Sequence, residues 1–451
     1  MSERGNRRLG VAGVLAGLTI GAAVGLSVLT GAAPEVITGV RPVVLHVARV
    51  LADPGTDLEL TAGLVCPGAE AEACRSARAS VHVLPAAGGA WTEVDGALDA
   101  PGWRFLVPGR LIPEAGFSYW LELAVEGGPT VRLPSAGAGA PFRVVTTAGL
   151  RQVRWPAGSV WADLAHPDGV VARLRYGDGE GEVGRIGGTG DLQALGPSSF
   201  DVAPDGSIHV ADWVHRRILV LSPRGSVRRA VPLPVERPVD LAVASNGEYA
   251  LTTLGLRATA FEVRPDGKVV GRYDVLTGVA ERVAATQAGP QVWVGPAQWA
   301  PVRSVPGVQL AAEAQAGALA QAAPGRDGAV ALSQDLGGGR IAFVWARPDG
   351  SRAGAVLELP AGVEPGLDHL VRGLPDGGAI AAHGLWADGH QGVAILRFAA
   401  DGSLATASLV EPPTGEMDAA ASTVRFRDPN EVLVFRSGTD DVRIDRYEVT
   451  T

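Results

Sequence analysis

Three tryptophans recur at comparable places in the second half of the chain, and they are the side chains best suited to bind a ligand. When the preceding turns are aligned, Trp213, Trp299 and Trp386 fall in the loop after the second strand of alternate repeat units. His215 and Arg436 are expected nearby. Exposed indoles with polar neighbours would suit a sugar ring or a peptide. The alternative is that each tryptophan caps its own unit and is buried.

A metal-dependent enzyme of the lactonase, hydrolase or lyase type is the competing interpretation. Its site would need several carboxylate or imidazole ligands that converge in a central channel. Asp201 and Asp240 are the main inner-strand carboxylates, and His209, His215 and His383 lie near inner or rim positions. This set is too sparse to predict a catalytic residue or a metal ligand.

The remaining polar motifs predict no cofactor. His383 and His390 flank one short loop and are expected to face solvent. The acidic stretches 178–182 and 440–441 lack the spacing of a calcium loop, so calcium binding is unsupported. The glycines of 177–181 do not open a predicted helix, which excludes a nucleotide-binding fingerprint.

Tight glycine turns recur at a nearly constant interval and predict the fold. Gly206 and Gly247 are 41 residues apart, and Gly225 and Gly267 are 42 apart. Short apolar-alternating runs separate these turns. A repeat of about 40–45 residues with four strands per unit is typical of a β-propeller. The chain is therefore predicted to be all-β.

Residues 196–227 match the pattern of a known repeat family. The match covers Asp205-Gly206, Ile208, 210–212 and Arg217-Ile218. This unit resembles an NHL repeat, although His215 stands where the family usually has Asn. The other units share its spacing and turn chemistry only. The resemblance implies an NHL-like propeller.

The repeat spacing divides residues 149–451 into the propeller units 196–234, 235–275, 276–315, 322–362, 364–411 and 412–451. The last unit has three predicted strands, so residues 170–176 are expected to supply its fourth and close the ring. Closure removes the open sheet edge that would otherwise invite aggregation. A six-bladed propeller follows, and a seven-bladed one if residues 159–188 form their own blade.

Residues 34–148 have a different pattern of apolar and polar residues from the repeat units, which predicts a separate N-terminal domain. About seven runs alternate apolar and polar residues, as in 117–125, and turn clusters separate them. This pattern fits a β-sandwich. Residues 105–127 resemble the later strands of Ig-like or fibronectin-III-like modules, and the whole architecture resembles that of exported bacterial proteins. Cys66 and Cys74 bracket a short polar loop and predict a disulfide bond in an oxidising compartment.

The first 33 residues predict export. Arg4, Arg7 and Arg8 precede an uncharged apolar run that ends in small residues before Pro34. This is typical of a secretory signal, and the run of about 25 residues is also long enough to span a membrane. Residues 1–33 are therefore a signal peptide or an N-terminal anchor, and the remainder is expected to be extracellular or at the cell surface.

Composition completes the functional prediction. The net charge is −9, with 39 basic and 48 acidic residues, and no basic patch is evident. This argues against a nucleic-acid partner. We therefore predict an exported binding or scaffold protein whose propeller face meets a glycan, a peptide or a surface protein. Contact with a membrane is expected only through the N-terminal segment.

Overall fold

The protein is almost entirely β-structure. The computed structural model describes residues 43–46, 49–65, 77–99, 102–124, 130–134, 136–156, 161, 164–187, 194–233, 235–253, 258–275, 282–286, 289–294, 298–301, 323–324, 330–347, 351–387, 389–411, 423–428 and 430–449. Within these ranges there is no α-helix, and only two 3₁₀ turns occur, at Gly109–Leu111 and Gly137–Gly139. No helix in the described ranges is long and apolar enough to cross a membrane. The predicted export segment 1–33 and the predicted disulfide partners Cys66 and Cys74 lie outside these residues.

Ten N-terminal strands form two sheets around one core. The strands are β1 (Val43–His46), β2 (Leu51–Ala52), β3 (Leu58–Val65), β4 (Arg78–Pro85), β5 (Thr92–Asp95), β6 (Ala97–Asp99), β7 (Gly102–Val107), β8 (Phe117–Ala124), β9 (Thr130–Leu133) and β10 (Phe142–Thr146). One sheet has the order β1-β3-β7-β6, and the other β2-β10-β8-β4-β5 with β9 beside β8. Alternation decides the packing, because Tyr119, Leu121 and Leu123 of β8 are fully buried against Phe105 of β7.

The rest of the chain builds radially arranged sheets. Its strands are β11 (Arg151–Arg154), β12 (Gly169–Arg175), β13 (Phe200–Val202), β14 (Ile208–Asp212), β15 (Arg217–Leu221), β16 (Val227–Pro232), β17 (Pro238–Val243), β18 (Tyr249–Thr253), β19 (Ala258–Val263), β20 (Val269–Val275), β21 (Val283–Thr286), β22 (Gly289–Val294), β23 (Gln298–Pro301), β24 (Ala323–Pro324), β25 (Val330–Gly337), β26 (Arg340–Ala346), β27 (Arg352–Glu358), β28 (Glu364–Gly373), β29 (Ala379–Ala387), β30 (His390–Phe398), β31 (Leu404–Val410), β32 (Val424–Asp428), β33 (Glu431–Ser437) and β34 (Asp441–Glu448). In the described ranges these strands form six sheets, which begin with β13, β17, β21, β24, β28 and β32. The first strands of neighbouring sheets contact one another, as β13 does with β17 and β32. This is a β-propeller.

The turns that predicted the repeats have the expected backbone. Gly206 has φ +78° and Gly225 has φ +83°, in the left-handed region that favours glycine. Gly225 also has no room for a side chain, since a Cβ there would lie 1.8 Å from the carbonyl oxygen of Val171. The turn after β15 thus packs directly on β12.

The described segments between residues 151 and 175 lie along the outer edges of three consecutive sheets. β11 pairs in parallel with β27, Leu164 forms a parallel bridge with Leu409 of β31, and β12 pairs antiparallel with β34. In the described residues, β12 therefore belongs to the sheet of β32–β34, as the ring-closure prediction requires, and not to a sheet of its own. Pairing covers outer edges that would otherwise present free backbone groups.

The N-terminal sheets dock on the sheet of β24–β27. Val50 and Leu51 are buried against Leu332, Val344 and Val356. Gln334 is also buried, and its side-chain oxygen accepts the backbone N–H groups of Val50 and Leu51 at 3.0 and 3.1 Å. Apolar burial together with a satisfied buried amide makes this a fixed junction and not a loose linker.

Candidate functional site

We call the connection between the second and third strands of a propeller sheet its corner. In the β14–β15 corner, charged side chains of the corner bond to one another. Asp212 is fully buried, and its carboxylate lies 2.8 Å from Nδ1 of His215 and 2.9 Å from Nε of Arg217. The other carboxylate oxygen accepts the backbone N–H of Gly184 at 3.0 Å. His215 is thereby oriented by a carboxylate that is itself part of the structure.

The acidic glycine-rich run folds over this corner. Nη2 of Arg217 donates to the carbonyl oxygens of Gly179, at 3.2 Å, and of Glu182. Nε2 of His215 lies 3.3 Å from the exposed carboxylate of Asp178. The run 178–182 thus packs on the hairpin that gives the NHL resemblance.

Trp213 is partly buried in the same corner. Its indole packs on the core between the β13 and β17 sheets, and the guanidinium carbon of Arg237 lies 5.5 Å from the ring centroid. Arg237 has φ +46°, an uncommon conformation for a residue with a side chain. The beginning of the second sheet thus supplies the cation that covers Trp213.

Trp386 is in a contrasting position at the end of β29. Its side chain is 50% exposed. The indole lies against Gly366, where a Cβ would come within 2.6 Å of Nε1. The cross-strand partners of Trp386 are Glu364 on β28 and Gln391 on β30, and both are exposed. One carboxylate, one indole and one carboxamide therefore share a face across three strands.

The structure corrects two predicted positions of binding residues. Trp299 lies within β23, paired with Trp293, and not in a loop, because the third strand begins one residue earlier at Gln298. Arg436 is only 6% exposed and is bonded to Asp445, at 2.8 Å, and to the hydroxyl of Tyr447. A buried, paired arginine of this kind holds its sheet and is inaccessible to a surface ligand.

The histidines do not lie as predicted from their loops. His383 is buried within β29, whereas His390 begins β30 and is exposed, so the two do not share a loop. His209 is buried between Ser207 Oγ, 3.0 Å from Nε2, and the Tyr249 hydroxyl, 3.2 Å from Nδ1. Since Tyr249 belongs to the next sheet, His209 joins two sheets.

Asp201 and Asp240 converge near the ring centre on one arginine. Arg425 of β32 lies 3.1 Å from each carboxylate. Their other oxygens accept backbone N–H groups of the following sheets, from Val243 at 2.8 Å and from Val283 at 3.0 Å. Both acids therefore join neighbouring sheets, and each forms an ion pair with Arg425. The described residues contain no group of three or more His, Cys, Asp or Glu side chains arranged to hold a metal ion.

Sequence reasoning singled out both aspartates but missed Arg425. A signal was available, since Arg425 interrupts an inner strand with a charge in the unit predicted to close the ring. A buried charge of this kind needs an acidic partner, and the inner-strand aspartates were the nearest candidates.

A polar cleft of about 260 Å³ lies between the N-terminal sheets and β25–β26. Two of the arginines that line it are bonded within the protein. Arg340 lies 2.6 Å from Asp53, and Nη1 of Arg49 donates to the carbonyl oxygen of Asp335 at 2.7 Å. The cleft is therefore part of the docking junction.

Comparison with known proteins adds little to this geometry. No protein-family model matches the chain, and no curated protein matches it. Hydrazine synthase of Kuenenia stuttgartiensis is similar at 12% identity and a TM-score of 0.34, over 56% of this chain and 77% of that chain. YCF48 bound to D1 peptide is similar at 14% identity and a TM-score of 0.30, over 59% and 82%. At such scores the similarity carries no functional inference, and the propeller assignment rests on the sheet order of this chain.

Proposed function

We propose that the protein is an exported scaffold that binds a protein partner on the corner side of its propeller. The observation that carries the proposal is the contrast among candidate groups. Ion pairs with arginines of the same chain hold Asp201, Asp212 and Asp240. Trp386, in contrast, is exposed to solvent. Carboxylates that are held in internal ion pairs are poorly suited to catalysis, and exposed indoles are typical of binding surfaces.

The architecture supports a role in presentation. We propose a six-bladed, NHL-like ring and an Ig-like N-terminal sandwich that holds it in a fixed orientation. The junction of Val50 and Leu51 with Gln334 supports this, because it ties the N-terminal sheets to the ring through buried contacts. Export and a Cys66–Cys74 disulfide follow from the sequence pattern, and the mass of the mature protein tests both.

Site-specific photocrosslinking in the native cells tests the binding function. A photoreactive amino acid at Gln391 lies beside Trp386, whereas one at Asn246 is exposed in the first turn of its sheet, on the opposite side of the ring. We expect a protein adduct from position 391 and none from position 246.

Equal adducts from both positions, or none from either, would contradict the proposal. Metal analysis of the purified protein is the companion measurement. A stoichiometric metal that chelators remove together with a hydrolase activity would favour the enzyme alternative.

A further inference from the structure

Arginine stacked over an aromatic ring is a recurrent device in this protein. Five such pairs occur in the described residues, each with the guanidinium carbon 5.2–5.9 Å from the ring centroid. The pairs are Arg132 with Trp120, Arg185 with Tyr176, Arg237 with Trp213, Arg272 with Phe261, and Arg425 with Phe200. Guanidinium groups stack on aromatic faces because the ring quadrupole attracts the cation.

Trp386 is not one of these five rings, and it differs from them in its exposure. It is the one Phe, Tyr or Trp side chain that the structure describes as exposed, and no described arginine lies over it. Gly366 supports one part of the indole and leaves the remainder open to solvent. This corner therefore presents a half-exposed indole that no described arginine covers.

The neighbours of Trp386 favour a cation. Glu364 is its direct partner on β28, so their Cβ atoms lie about 4.5–5.5 Å apart on the same face. Glu364 is exposed and makes no ion pair with the described residues. An indole face beside an unpaired carboxylate is complementary to a guanidinium, which can stack on the ring and donate to the carboxylate. The Gln391 carboxamide adds an acceptor on the other side.

We propose that Trp386, Glu364 and Gln391 form a receptor site for an arginine side chain of a partner protein. The proposal rests on the binding function above and specifies its chemistry. The net charge of −9 favours approach of such a basic partner.

The test uses the mature protein with ¹⁵N-labelled tryptophan and a hexa-arginine peptide as the probe. The indole signal of Trp386 is assigned by its absence from the Trp386→Phe spectrum. We expect the peptide to shift this signal, with hexa-citrulline, which is neutral and similar in shape, having little effect. Trp386→Leu should weaken binding of the peptide by about fivefold or more, as loss of a cation–π contact beside a carboxylate predicts.

Two further variants keep the test independent of folding. Gln391→Arg places a guanidinium beside the indole from within the chain, so it should block the site while the protein remains folded. Leu98→Ala removes an exposed apolar side chain, 65% accessible, from the N-terminal sheets and should leave binding unchanged.

Three outcomes would overturn the site. They are equal shifts with hexa-arginine and hexa-citrulline, binding that is unaffected by both Trp386→Leu and Gln391→Arg, and a shift with methyl glucoside but none with hexa-arginine, which would indicate a glycan. Failure of this site is distinguishable from failure of the binding function. A protein adduct from position 391 that persists in Glu364→Gln with undiminished yield overturns only the arginine site, whereas absence of any adduct overturns the binding function.

Discussion

The β14–β15 corner and the β29–β30 corner occupy the same place in their sheets, and each carries a tryptophan, but their surroundings are opposite. At the first, Arg237 stacks on Trp213, and Asp212 bonds to His215 and Arg217. At the second, Trp386 is half exposed. The corner with the more recognisable sequence motif is therefore the one whose polar side chains bond to one another. The difference teaches that the motif residues of the first corner are bonded to one another and hold their sheet, whereas the plainer corner leaves its indole available to the partner that we propose.

The largest expected effect comes from opening the closed corner. In Asp212→Ala the Arg217 guanidinium, whose side chain is 16% exposed, loses its buried partner, and the Gly184 N–H loses its acceptor. Breaking a buried ion pair in this way costs about 3–5 kcal/mol of unfolding free energy. Urea unfolding measures it. The matched control is Glu236→Ala, which removes the exposed partner of Arg216 at the same corner and should cost at most about 1 kcal/mol.

If Asp212→Ala and Glu236→Ala destabilise equally, the corner is not held by its buried carboxylate, and the contrast between the two corners fails.

An effect of intermediate size is expected from His46, whose burial makes the protein less stable in acid independently of both corners. His46 is buried in the N-terminal sheets, where Nδ1 is 2.6 Å from the carbonyl oxygen of Thr61 and Nε2 is 2.8 Å from the Tyr119 hydroxyl. Burial lowers the pKa of His46 to about 4 against the opposing bond to Thr61, with a smaller contribution from Arg49. The unfolded chain therefore binds more protons than the folded protein between about pH 4 and 6.5, so stability falls as the pH falls through this window.

The expected loss attributable to His46 is about 2 kcal/mol between pH 7.5 and pH 5. His46→Gln removes the titrating group while retaining an amide that can bond to Thr61 and Tyr119. Unfolding curves of the two proteins at pH 7.5 and pH 5 measure the difference. A wild-type loss that His46→Gln fails to reduce would place the acid sensitivity elsewhere.

The smallest expected effect on stability comes from Arg237, and it tests most directly why the two corners differ. Arg237→Ala removes the cation over Trp213 and should cost about 0.5–1 kcal/mol in stability. It should also uncover the ring, so that hexa-arginine shifts the indole signal of Trp213 as it shifts that of Trp386. The conservative variant Arg237→Lys retains a cation and should leave Trp213 less responsive. A Trp213 signal that stays silent in Arg237→Ala would show that a covering arginine is not what distinguishes the two corners.

Much of the fold followed from local patterns. The turns at Gly206 and Gly225 and the strands between them were predicted, because apolar alternation and turn glycines are local features of the sequence. The pairing of β12 with the last sheet followed from counting strands. Less could be predicted of the site. Trp213 falls in its expected corner, but the exposure of Trp386 and the burial of Arg436 depend on side chains that the neighbouring strands place beside them.

The amino-acid sequence by itself determined the strands, the turns and the repeat, since each depends on residues within one hairpin. Only the tertiary structure decided which polar groups form hydrogen bonds and ion pairs within the protein. Arg425 meets Asp201 across more than two hundred residues, and Val50 and Leu51 dock on Gln334 across a similar separation. Ring closure and docking bring these groups together, and no local pattern encodes such encounters. The same reason applies to the arginine that covers Trp213 and is missing over Trp386, because each ring's exposure is set by the strand or sheet that packs beside it.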